Sequence, residues 1–300
     1  MSRTRLRGIE LAGSRVAIEV PAGLDWRWPG ERYESFASSA EGAQVYVGVR
    51  VGSAPSVARR GFVYESQSHR FEVAERGDDW IVSIHGGDGL ERTAVFNDAF
   101  SEGEVVLSPA AASLGVAPLA HPLDELLVLH RVVRAGGLVL RGSLVLNDER
   151  ALAFLGTGAP AGGESAPHYW RKADTQRIAG ERLVVLPSLE AVRTVGCPWI
   201  GIDGGARPFN ARLDAVHSIR PSRAVFADRL DRDDAVGELL DHAVVPIHDP
   251  RCAERVFEAA AGLVDRVSLV RLGLPEEKRV IPFTWGRNDT ALAFAPPFIT

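Results

Sequence analysis

Hydrophobic and polar positions alternate along the first third of the chain. Gln44–Gly52 places Val45, Val47, Val49 and Val51 on one face, as a half-buried strand requires. Phe62–Tyr64, Arg70–Ala74, Trp80–His85, Thr93–Phe96 and Glu104–Leu107 are further short apolar runs. Arg76-Gly-Asp-Asp79 and Gly86-Gly-Asp-Gly89 punctuate them in the manner of a hairpin meander. Ala110–Leu119, small and proline-flanked, reads as a linker. From His121 the texture changes. Leu123–Ala135 has helical periodicity, with Pro122 and Asp124 at its start. Strands follow at Gly137–Leu146 and Ala151–Leu155, joined at Asn147-Asp148. A strand pair is expected at Leu183–Leu186 and Ala191–Val195, helical stretches at Leu239–Val244 and Ala253–Val264, and a late strand over Arg266–Leu272. The pattern predicts an α/β (α+β) protein with a β-rich domain over residues 1–116 and an α/β domain over 117–300.

The 300 residues carry a formal charge of −5, which gives no electrostatic reason to expect a nucleic-acid partner. Lys172 and Lys278 are the only lysines. Cys197 and Cys252 are too few for a disulfide framework or a four-sulfur metal site. No run of about 18 apolar residues reads as a membrane span, and MSRTRLRGIE lacks a secretion signal's apolar core. The expectation is a soluble cytoplasmic protein with no membrane partner.

The densest chemical signal follows the Ala151–Leu155 strand. Gly156 opens a glycine-rich turn. From Gly158 the order is four residues, Gly163, Glu164 and Ser165, with Gly162 just before. A phosphate-binding loop has Gly, four residues, Gly, Lys, Ser/Thr, because backbone N–H groups cradle phosphates that the lysine neutralises. Here the spacing is kept and the charge inverted. At an effective dielectric near 20, replacing attraction by repulsion costs about 5 to 8 kcal/mol before solvent and counterion relief. Pro167 suits the first turn of a following helix. Just beyond, His168, Tyr169, Trp170, Arg171 and Lys172 read as a solvated helix face with one buried ring. Arg171 and Lys172 are the candidate substitutes for the lost lysine.

His121-Pro122-Leu123, the strand pair LVLRGSLVLNDERALAFLG, the glycine loop, and Gly196-Cys-Pro-Trp-Ile-Gly201 together resemble the kinase domain of the HPr kinase/phosphorylase family. Ala215–Ile219 and Val267–Leu272 fall in that family's order too. The resemblance spans roughly His121–Phe283 and is closest in layout to kinase-related proteins of modified-peptide gene clusters. It implies a P-loop, PEP-carboxykinase-type kinase core behind a β-rich N-terminal domain. The family's chemistry uses a lysine on the phosphates, two aspartates after the next strand, and often a histidine before the loop. Here Glu164, Leu186–Ser188 and Arg141 stand at those places, with Glu190 the nearest carboxylate.

Three substitutions together imply a catalytically degenerate member, a pseudokinase acting as a binding or scaffolding partner for a peptide or a biosynthetic enzyme, alone or as a homo- or hetero-oligomer. Arg141 and Glu164 are expected to pair with each other. The alternative is an atypical enzyme. It is either an ATP-dependent serine/peptide phosphotransferase using Arg171, Lys172, Glu190 or Asp203, or a kinase cleft repurposed for another reaction. The candidate catalytic residues are therefore Arg141, Glu164, Ser165, Glu190 and Asp203. No cofactor is expected; ATP with magnesium enters only if the altered loop still binds. Ser165 has no His/Asp partner in sequence. His242, His248 and Cys252 are not expected to hold a metal, because Pro250 interrupts their spacing. The alternating charges of Arg220–Asp234 read as a solvated face.

Overall fold

Thr4–Leu11 (β1) and Ser14–Pro21 (β2) form an antiparallel hairpin whose buried side chains include Ile9, Leu11, Val16, Ile18 and Val20. Ala12 and Gly13 close it with φ of 51° and 75°. Two left-handed residues give the turn a twist that matches the strands it joins. The computed structural model describes residues 4–55, 61–65, 70–86, 89–147, 149–156, 176–179, 182–199, 201–202, 206–224 and 226–274.

Among these the protein is mixed α+β, with two sheets of nine strands each. The first sheet adds Ala37–Ser38 (β3), Val45–Val51 (β4), Phe62–Glu65 (β5), Arg70–Arg76 (β6), Asp79–Gly86 (β7), Gly89–Asn97 (β8) and Glu102–Leu107 (β9), in the order β3-β1-β2-β4-β9-β8-β7-β6-β5. A one-turn helix, Glu31–Glu34 (α1), precedes β3, and its buried Tyr33 donates to Asp124 at 2.6 Å. The stretch read as a linker is packed instead. Pro109–Ser113 (α2) is a short helix capped by the Ser108 hydroxyl, and Ala111, Ala117 and Leu119 are buried. The buried Arg92 of β8 donates to the carbonyls of Ala117 (2.5 Å) and His121 (2.7 Å), tying this segment to the first sheet.

Leu123–Arg134 (α3) leads into the second sheet. Leu138–Asn147 (β10), Arg150–Leu155 (β11), Gln176–Ala179 (β12), Arg182–Pro187 (β13), Val192–Val195 (β14), Gly201–Ile202 (β15), Asn210–Pro221 (β16), Phe226–Arg229 (β17) and Ser268–Leu274 (β18) compose it. The pairings β10–β11, β11–β16, β16–β14, β14–β13 and β13–β10 close a small barrel. β11, β16 and β18 run parallel. Ala151–Leu155 is buried throughout, which explains its unbroken apolar run.

Arg232–His242 (α4) begins at Asp231, whose carboxylate accepts from the Asp234 N–H. The helical reading of Leu239–Val244 is displaced toward the N-terminus: Ala243 is already extended and bridges Leu140. Pro250–Val264 (α5) is capped by Asp249 with Pro250 in its first turn. Proline starts this helix because that position needs no N–H donor. One apolar core, from Ile9 to Leu269, runs through both sheets.

Candidate functional site

In open α/β sheets, ligands bind outside the carboxyl ends of parallel strands. At that end of β11, Gly156 is buried. Gly158, Gly162, Gly163, Glu164, Ser165, Arg171, Lys172 and Asp203 lie outside the described residues, and so does the expected Arg141–Glu164 pair. Arg141 itself is exposed on β10, next to the Gly142 that pairs with Leu155. A Cβ at Gly142 would stand 2.3 Å from the Phe154 carbonyl oxygen, so only glycine lets the two strands approach here.

The neighbouring parallel strand brings Ser218 and Arg220 to the same end, where they meet Glu238 of α4. Glu238 is 3% exposed. Arg220 holds it through Nε at 3.1 Å and through Nη2, which reaches both carboxylate oxygens; Ser218 Oγ donates from 3.1 Å. Arg271 of β18 lies 3.8 Å away. Such forked, charge-assisted contacts fix both partners. Arg220 was expected on a solvated face. It is exposed, as expected, and it also grips the buried Glu238 with its guanidinium. His242, one turn on, is held below the usual histidine range by burial and by Arg220 and Arg141, against an opposing pull from Glu238 and Asp241.

Leu186–Ser188 do not reach this cluster. They enter the β13–β14 turn, where Ser188 Oγ donates to Ala191 O at 2.8 Å, and Glu190 is exposed in the same turn. In register, β13 meets β10 at Leu138 through Val185, whereas β11 ends opposite Gly142.

A second constellation is assembled between the two sheets. His130 and Arg134 come from α3, and His248, Asp249 and Cys252 from the start of α5. Tyr64 of β5, Trp80 of β7 and Phe100 of the β8–β9 turn close it. Sequence spacing set His248 and Cys252 apart from a site because Pro250 intervened. With Pro250 in the first helical turn, Asp249 and Cys252 instead converge on His130. His130, Asp249, Cys252 and His248 are 0, 0, 1 and 4% exposed. Phe100, strained at φ 50°, stacks on the His130 ring at 3.9 Å.

The ligating atoms of His130, Asp249 and Cys252 lie within 4.8 Å of one another, a spacing that fits a metal ion. The cation among them is the Arg134 guanidinium. Its Nη1 is 2.7 Å from His130 Nδ1 and 3.0 Å from Cys252 Sγ, and its Nη2 is 3.2 Å from Asp249 Oδ2. Burial, then His248 and Arg134, push His130 well below its usual range. Burial brings His248 to about 4. Burial and a hydrogen bond to Asp249 push the Cys252 thiol up to about 12, so it is not a thiolate nucleophile. For Asp249, burial is outweighed by hydrogen bonds from Cys252 and by Arg134, and its pKa falls.

Beside this cluster is a cavity of about 280 Å³ between β5–β6 and α3, lined among others by Tyr64, His248, His121, Glu125, Arg182 and Trp199. Glu125 pairs with Arg182 and lies 3.3 Å from His121 Nδ1. Trp199 stands with Pro198 in a turn that follows the buried Cys197.

The sequence reading missed His130, Arg134, Asp249 and Tyr64. The one local signal was Asp249-Pro250, a cap followed by a first-turn proline. No helix among the described residues is long and apolar enough to cross a membrane. No protein-family model matches the chain, and no curated protein matches it.

Proposed function

We propose that this chain is a catalytically degenerate relative of the HPr-kinase-like proteins, working as a binding or scaffolding partner for a peptide or a biosynthetic enzyme. The observation that carries this reading is the state of Glu238. It is the buried carboxylate at the carboxyl ends of β11, β16 and β18 among the described residues, and Arg220, Arg271 and Ser218 already engage it. Phosphoryl transfer needs positioned charge: cations on the phosphates, and carboxylates to hold metal and accept the substrate proton. A carboxylate neutralised by an arginine serves poorly as either. The sequence adds Glu164 in place of the phosphate-binding lysine, and Leu186–Ser188 in place of the aspartates. Leu186–Ser188 lead into a hairpin turn, which also speaks against a displaced metal site there.

The test is phosphotransfer from γ-labelled ATP with magnesium. Candidate acceptors are the chain itself, serine-containing peptides and proteins encoded beside it. No incorporation above a heat-denatured control is expected. Sustained turnover would replace this reading with the atypical phosphotransferase. Capture of a specific neighbouring peptide or enzyme, with no transfer, would complete it.

A further inference from the structure

Hydrogen-bond polarity in the buried cluster has a fixed direction. An arginine can only donate, so Arg134 Nη1, 2.7 Å from His130 Nδ1, makes that nitrogen an acceptor. The His130 proton therefore sits on Nε2 and points at His248 Nε2, 2.8 Å away. That contact makes His248 Nε2 the acceptor and leaves its proton on Nδ1. His248 Nδ1 is 2.8 Å from the Tyr64 hydroxyl, which must accept. The backbone amide of His248 acts on the same oxygen. The chain Arg134→His130→His248→Tyr64 thus ends on an oxygen whose own proton has no acceptor among the described residues.

Tyr64 and His248 both line the 280 Å³ cavity. Its walls are largely apolar, with Phe71, Leu126, Leu129 and Val244 among them. Arg182 is already paired with Glu125, the lining Glu65 lies 3.4 Å from Arg70, and the lining His248 is kept neutral by burial. The charge at this wall is therefore spoken for, while a hydroxyl donor is not. An apolar pocket with a few convergent polar groups is the usual form of a small-molecule site.

The geometry points to a binding site for a small, neutral, apolar molecule bearing one carbonyl acceptor, seated in this cavity with its oxygen on the Tyr64 hydroxyl. The donor is strengthened by the chain behind it, because each link drains electron density toward the Arg134 guanidinium. A carboxylate is disfavoured, since it meets Glu125 without a spare cation among the described lining residues. A pure hydrocarbon leaves the hydroxyl proton unbound. This site lies apart from the strand-end cluster and does not depend on the function proposed above.

The test compares three probes of one shape on the full chain: acetophenone, ethylbenzene and benzoate, with dissociation constants from calorimetry or ligand-observed NMR. Wild type is expected to bind acetophenone at least tenfold more tightly than either of the others. Tyr64→Phe keeps the ring packed against Phe71 and is expected to bring acetophenone down to the ethylbenzene level. Val244→Phe, at a half-buried wall position, is expected to weaken both neutral probes by filling the cavity. Equal affinity of wild type for ketone and hydrocarbon would overturn the assignment without any variant. So would no binding of any probe, a ketone preference that survives Tyr64→Phe, or binding indifferent to Val244→Phe.

Discussion

The strand-end cluster and the inter-sheet cluster use the same device, a buried carboxylate gripped by an arginine, at opposite degrees of solvation. Glu238 is held by Arg220, whose side chain is 48% exposed, whereas Asp249 is held by Arg134 at 12%. Water can relieve a broken Glu238 pair through that open arginine and the nearby Arg271. Asp249 is fully buried beside His130, and only the exposed Arg251, 3.8 Å away, offers its carboxylate a second cation. The comparison teaches that the inter-sheet cluster joins elements of both sheets, while the strand-end cluster lies at the carboxyl ends of parallel strands with its carboxylate already paired.

Arg134→Met should produce the largest effect, because it removes the one guanidinium that joins Asp249, His130 and Cys252 and leaves Asp249 only the exposed Arg251 at 3.8 Å. A loss of about 3–5 kcal/mol is expected in urea unfolding at pH 7.

Acidification should weaken the same region next. A histidine whose folded pKa is depressed binds fewer protons folded than unfolded, so its contribution is full above about pH 6.5 and falls away toward the folded value. His248 lies at about 4, and His130 is also well below the usual range. Protonating His248 should cost about 2 kcal/mol between pH 7 and 5, and His130 adds to the loss in the same direction. Asp124 works the other way. Burial raises it to about 6, so its protonation returns about 1 kcal/mol over that range. Net destabilisation measured by urea midpoints at the two pH values checks the sign, and a flat profile would undo the claim that these histidines are buried neutral.

Arg220→Met should cost less than Arg134→Met, about 1–3 kcal/mol, since Ser218 and Arg271 still reach Glu238. Equal losses from the two substitutions would break the comparison. The smallest effect separates a plain helix cap from one inside a cluster. Asp231→Ala removes only the α4 cap and should cost about 1 kcal/mol. Asp249→Ala removes a cap together with the partner of Arg134, and its melting temperature should fall clearly further.

The strand-end region was partly legible because its parts are local. The apolar run of Ala151–Leu155 and the β13–β14 pair could both be read from short windows. The valine alternation of β4 was equally plain. The β1–β2 hairpin was missed because arginines and glutamates interleave its apolar positions and Ala12-Gly13 is not a strong turn pair. The inter-sheet cluster had no window to be read from. His130 and His248 are separated by 118 positions, and Tyr64 comes from the other sheet. Pro250, taken as an interruption, was the residue that aimed Asp249 and Cys252 at the same point.

The central proposal is that the strand-end region does not accept a nucleotide's phosphates. It is tested most directly by a thermal-shift titration with ATP, ADP and pyrophosphate, with and without magnesium, on wild type and Glu164→Lys. A ligand that binds only the folded state raises the melting temperature according to RT ln(1 + [L]/Kd). The account predicts no shift in wild type and a phosphate-dependent shift in Glu164→Lys, an intact cradle silenced by one charge. A magnesium-dependent shift in wild type would contradict it.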